Sequence, residues 1–202
     1  MENDIKKTRE FVKNSFIKNP HYSFDHWSVM YNHSIKVENI ALKIAKEIEC
    51  DKKLVVLGAL LHDIGKTHKV DTHTLHYNHE DFNLKVSKKF IKSLDLPVDT
   101  AKEFEDIVSY NSHSVEAKII KDADALALYA DKRLYMLFLV WAIENKLFSS
   151  IQRKIDKWGK LNFDVSKKIG KKWYRQMCSD WKGYVKKYVS EVSGLEKIKI
   201  WI

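Results

Sequence analysis

Proline and glycine are scarce in this chain, with two and six among 202 residues. So few turn-formers leave long stretches unpunctuated, which excludes a fold of many short strands and favours helices. Cysteine is equally rare. Cys50 and Cys178 show no metal-type spacing and no disulfide framework, so a reducing compartment is expected. The run through Tyr135 to Ile143, as long as any here, falls far short of the ~18–20 residues a bilayer span needs. The first residues, Met-Glu-Asn-Asp-Ile-Lys, put acidic side chains first with no apolar core behind them, unlike a secretory signal. A cytoplasmic protein with no membrane partner is the expectation. Internal repeats, low-complexity tracts and strong linkers are also missing.

What is present is an ordinary globular composition, 45% hydrophobic and 31% charged, enough for one domain spanning 1–202. The net charge of +9 is unevenly spread. Residues 130–202 hold 17 Lys and Arg against 7 Asp and Glu, or +10, while residues 1–129 hold 19 against 20, or −1. Five of the six tryptophans share that basic carboxy-terminal third. Such an excess points to anionic partners or substrates without naming them.

Apolar periodicity predicts helices throughout: 3–18, 26–49, 52 to about 64, 79–93, 99–111, 115–129, 131–158 and 164–192. Asp25 and Asp51 are candidate caps, and Gly65 can end the third helix. Residues 66–77 are rich in Thr and His and predict a polar loop; 195–202 is a short apolar tail. The fold class is all-α, a compact multi-helix bundle with two additional long carboxy-terminal helices.

The run Leu60-Leu61-His62-Asp63-Ile64-Gly65-Lys66 puts an imidazole and a carboxylate side by side at the end of an apolar helix. Burying both costs several kcal/mol unless each finds a partner, and a divalent cation suits both. His33 upstream and Asp124 downstream complete a four-ligand nitrogen and oxygen cage drawn from three helices. Asp122 and Asp124 lie on opposite faces of their helix, and Asp124, preceding Ala125-Leu126-Ala127-Leu128, is the better ligand. The donor set suits Mn, Fe, Co, Ni or Zn, and holds Mg more weakly. With open positions such an ion activates water against phosphorus. Asp63 can orient that water or take its proton. Lys66 places a cation near phosphate oxygens, or simply complements a helix end.

In order, spacing and helical context, His33, His62-Asp63-Ile64-Gly65-Lys66 and Asp124 resemble the HD-domain superfamily of metal-dependent phosphohydrolases, over residues of about 25–130. The resemblance implies an all-helical core in which His33, His62, Asp63 and Asp124 bind one divalent metal. It also implies hydrolysis of a phosphate ester or anhydride, often in a nucleotide. Tyr77-Asn78-His79-Glu80 is similar to a His-Glu element of the family, and Asn111-Ser112-His113-Ser114 to a later histidine. By that likeness His79 and His113 bind a second ion or touch phosphate, and Glu80 activates water from behind a ligand or is merely exposed. An adjacent His pair, as in cyclic-nucleotide phosphodiesterases, is lacking.

Blander roles fit the remaining residues. His68, His73 and His76 read as solvated or lid residues of the polar loop, and His26 with Trp27 as pocket or boundary residues. Ile169, Trp173, Met177, Trp181, Tyr184 and Tyr188 recur at helical spacing as a core stripe, with the lysines around them on its solvated side. The expected enzyme therefore cleaves a phosphomonoester or releases pyrophosphate from a small phosphorylated metabolite, a nucleotide being favoured. The alternatives are a nucleic-acid-binding protein using the basic carboxy-terminal helix, or a non-catalytic metal-binding regulatory module.

Overall fold

The computed structural model describes residues 2–20, 26–188, 190–191 and 198–199. His21 and the expected cap Asp25 lie outside them, as does most of the expected apolar tail. Among the described residues the chain is helical with no strand, as the scarcity of turn-formers requires. It divides into two compact units, residues 1–123 and 124–202.

The first unit is built from α1 (Glu2–Lys18), α2 (Ser28–Ile44), α3 (Lys52–Leu61), a 3-10 turn (Ile64–Thr67), α4 (Thr72–Ile91) and α5 (Val98–Val108). Helix α6 (Val115–Tyr129) starts there and runs unbroken through the division. The centre is α3, in which every residue from Leu54 to Leu61 is buried. Full burial of a Leu or Val contributes roughly 1.5–3 kcal/mol, so this helix fixes the unit. Asp51 caps it as expected: its carboxylate accepts from the Lys53 and Leu54 amides at 2.8 and 3.1 Å. Helix α1 is tied to α2 by Arg9, whose guanidinium donates twice to Glu38. It is tied to α3 by an ion pair between Asp4 and Lys53 at 2.7 Å.

The second unit contains α7 (Lys132–Glu144), α8 (Phe148–Asp156), a 3-10 turn (Lys157–Lys160) and α9 (Asp164–Tyr188). Of the expected core stripe on α9, Met177 and Trp181 are completely buried, while Ile169, Trp173, Tyr184 and Tyr188 are half-buried. The Trp181 indole donates to the Tyr135 carbonyl at 3.2 Å.

Several boundaries differ from the periodicity; the helix expected over 26–49, for one, already ends at Ile44. The expected single helix over 131–158 is α7 and α8, separated at Asn145–Leu147. Lys146 takes a left-handed φ of 57°, and the Leu147 amide reaches back to the Ala142 carbonyl at 2.7 Å. That is a Schellman closure with lysine where glycine usually stands, so no sequence breaker announces it. The expected loop over 66–77 is largely helix. Asp71 caps α4 through the Thr74 amide, and a non-helical Asn78 (φ −124°) kinks the helix. His76, expected to be solvated, is buried on that helix. Finally α3 stops at Leu61, before His62 rather than after Ile64.

Candidate metal centre

The early end of α3 decides the geometry of the His-Asp pair. On a continuing helix adjacent side chains diverge by about 100°. Here His62 is the C-cap, and Asp63 (φ −115°, ψ 11°) sits between the helix and the 3-10 turn. Freed from helical spacing, both side chains reach the same place. The His62 Nε2 atom lies 3.3 Å from Asp63 Oδ2.

Two more imidazoles converge on that carboxylate. His33, buried on α2, brings its Nε2 to 3.8 Å from Asp63 Oδ2. His79, just past the α4 kink, brings its Nε2 to 3.1 Å from Oδ1. Lys66 Nζ donates to Asp63 Oδ2 at 2.6 Å, so in this structure Lys66 serves the carboxylate directly. Burial by itself pushes the Asp63 pKa up. The charges of Lys66 and His62, with hydrogen bonds from His62 and His79, outweigh it and hold Asp63 ionised well below the usual carboxylate range.

The tautomers of two of these histidines can be read from their partners. His62 Nδ1 lies 2.8 Å from the Ala59 carbonyl, and His79 Nδ1 lies 3.1 Å from the Leu75 carbonyl. A carbonyl only accepts, so both Nδ1 atoms carry protons. Each Nε2 then donates to Asp63 only while its ring carries a second proton; in a neutral ring it is an acceptor facing another acceptor. Such a meeting is favourable only with a second proton on each ring or with a cation among them. The donor set therefore fits a divalent ion on chemical grounds.

Asp124 is carried by α6. That helix runs on without a break from the unit that holds His33 and His62. The Asp124 carboxylate also accepts from Lys157 Nζ at 2.9 Å. Asp122 is buried on the same helix. His113 and Glu80 are not drawn into the cluster in the same way: both are exposed, on the α5–α6 connection and on α4. His26 is exposed beside Ser28. His68 packs on Phe82 with Lys85 Nζ at 3.3 Å; burial and that ammonium lower its pKa.

Sequence reasoning missed Asn83. This side chain is fully buried, and it staples the His-Asp turn to α4 and α5. Its Nδ2 donates to the His62 carbonyl at 2.6 Å and the Val108 carbonyl at 3.1 Å; its Oδ1 accepts from the Gly65 amide at 2.7 Å. Gly65 has a matching reason. A Cβ there would collide with the His79 carbonyl and lie 2.8 Å from the Asn83 amide. Gly65 thus lets α4 approach the turn and bring His79 to Asp63. Lys157 was missed too, because nothing in a 33-residue separation signals its contact with Asp124.

Among known proteins, the HD-domain family matches residues 30–129. An uncharacterized protein of Methanocaldococcus jannaschii is 40% identical over 99 residues, covering 47% of this chain and 20% of that protein. Ribonuclease Y of Finegoldia magna is 29% identical over 107 residues, covering 53% of this chain and 20% of that protein. The aligned region thus spans about one-fifth of the length of each relative. No solved structure matches the chain. No helix among the described residues is long and apolar enough to cross a membrane. Through residues 30–129, which hold the convergent imidazoles and the Asp63 carboxylate on an all-helical frame, the chain belongs to the HD-domain family.

Proposed function

We propose that this chain hydrolyses a phosphate ester or anhydride of a small phosphorylated metabolite, a nucleotide being the favoured class. The observation that carries this reading is the convergence of the His33, His62 and His79 Nε2 atoms on the ionised Asp63, a nitrogen and oxygen donor set that suits a divalent cation. His33, His62, Asp63 and Asp124 are the proposed ligands. A divalent ion held by them supplies an activated water and polarises a phosphoryl oxygen. Manganese, iron, cobalt, nickel and zinc suit the donors better than magnesium.

The side chains then divide the work. Asp63, kept ionised by its neighbours, orients the attacking water or takes its proton. Lys66 neutralises Asp63 at rest and, by rotating its flexible stem, offers the same charge to a phosphate oxygen. His79 is placed to meet either the phosphate or a second ion. His113 and Glu80, being exposed, would join only on the substrate side. The two free thiols suit a cytoplasmic setting. Likeness to a protein named as a ribonuclease adds the phosphodiester bonds of RNA to the substrates worth testing.

The test is a panel of nucleotides, phosphate esters and short RNA with Mn, Co, Ni or Mg, run beside Asp63→Ala. Expected is metal-dependent release of orthophosphate or pyrophosphate that the variant lacks. No turnover across the panel, together with no calorimetric binding of Mn, would overturn the reading.

A further inference from the structure

A second functional surface lies on α9, independent of the metal centre. That helix holds eight Lys and Arg against two Asp. The acidic residues do little to neutralise it. Asp180 is engaged by Tyr135 at 2.5 Å and Lys132 at 3.1 Å, and Asp164 stands in the first turn beside Lys167.

The placement of the cations is informative. At 100° per residue, Lys168, Lys171, Lys172, Arg175, Lys182 and Lys186 fall within a stripe about 100° wide, with Arg175 near its middle and Ser179 inside it. All six cations are exposed. The stripe runs about 27 Å, from the 18 steps of ~1.5 Å between Lys168 and Lys186. Its amino-terminal half opens on a concavity of about 440 Å³ lined by Lys168, Lys171, Lys172, Arg175, Gln176 and Ser179. Hydrogen-bonding side chains thus lie beside the charges.

A linear row of cations on a rigid rod is matched by a linear row of anions. We propose that this α9 stripe binds the phosphate backbone of a nucleic acid. An anionic membrane surface is the competing polyanion, and the packing of α9 disfavours it. Peripheral membrane helices insert an apolar face, whereas Met177 and Trp181 at the centre of the apolar face of α9 are fully buried within their own unit and its Trp173, Tyr184 and Tyr188 are half-buried. None of the exposed large hydrophobic side chains among the described residues belongs to α9. Backbone contacts of this kind confer affinity without sequence preference and weaken steeply with salt.

Fluorescence anisotropy with the full chain in EDTA tests this without involving the metal centre or turnover. The probes are a labelled single-stranded RNA and a duplex, each of about 20 nucleotides, long enough to cover the stripe. Replacing Lys168, Lys171, Lys172 and Arg175 together by Gln removes four phosphate contacts. The slope of log affinity against log salt should then flatten by about 3 for the single strand, with affinity down at least ~30-fold near physiological salt. The control replaces exposed Lys6, Lys7, Lys89 and Lys102 by Gln, removing the same charge from the first unit. It should stay within about threefold of the parent, and circular dichroism should show both variants folded. Equal losses in the two variants would reduce the effect to net charge and overturn the proposal. So would absence of binding to either nucleic acid, or sedimentation with phosphatidylserine vesicles by a chain that ignores both.

Discussion

Asn83 is fully buried and uses each of its side-chain polar atoms, joining Gly65, His62 and Val108. Truncation to Ala would leave an amide and two carbonyls inside the protein without that partner. Each such orphan costs about 1–3 kcal/mol, and water entering the gap recovers part of it. Asn83→Ala should therefore lower unfolding free energy by about 3 kcal/mol in urea titrations, a large share of a typical 5–15 kcal/mol. A loss below ~0.5 kcal/mol would mean the turn is held by packing alone. Nothing in the sequence marks Asn83, because an asparagine on a polar helix face looks solvated. Its importance arises only when the His-Asp turn is laid against α4. The residues that were legible stood out for the opposite reason: His62-Asp63 closes an apolar run and His33 lies on an apolar helix face, where polarity needs a partner.

At the scale of elements, α1 is fastened to the unit through Asp4 and Lys53. The hydrogen bond from Lys53 lowers the Asp4 pKa below 3.8, outweighing burial. A carboxyl depressed by folding adds stability that is fully present above its unfolded pKa and is lost as pH falls through its folded value. Asp4→Asn should therefore cost about 1–2 kcal/mol at neutral pH. The difference from the parent should begin to close only below 3.8 and vanish under more acidic conditions. A gap that stays constant through that range would assign the loss to packing. Element boundaries were legible where a side chain makes the boundary, as Asp51 does for α3. They were illegible where the backbone alone makes it. Helices α5 and α7 end in left-handed Tyr110 and Lys146, neither a residue type that advertises positive φ. The α4 start was hidden because Thr and His are weak helix formers, overridden here by the Asp71 cap and by packing on the turn at Gly65.

At the scale of the whole molecule, the metal-binding candidates lie at or before Asp124, while most of the tryptophan and all of the net positive charge lie after it. Helix α6 belongs to both halves. Its Ile120 meets Gly58 of α3, while its Leu126 sits against Gly170 of α9 and its Tyr129 hydroxyl donates to the Lys154 carbonyl at 2.9 Å. Neither half can unfold α6 without stripping the other of buried side chains, so the two should melt as one. That coupling gives the proposed metal a remote reporter. In a Trp27→Phe background, fluorescence comes from tryptophans in the second unit, among them Trp141, Trp158, Trp173 and Trp181. Manganese at about 100 times its dissociation constant stabilises the folded state by about 2.7 kcal/mol. The fluorescence transition should then move to higher temperature together with the circular dichroism transition, and neither should move in Asp63→Ala. A circular dichroism shift without a fluorescence shift would show that α6 breaks and the halves unfold separately. Equal shifts in parent and variant would put the ion somewhere other than the His62-Asp63 turn.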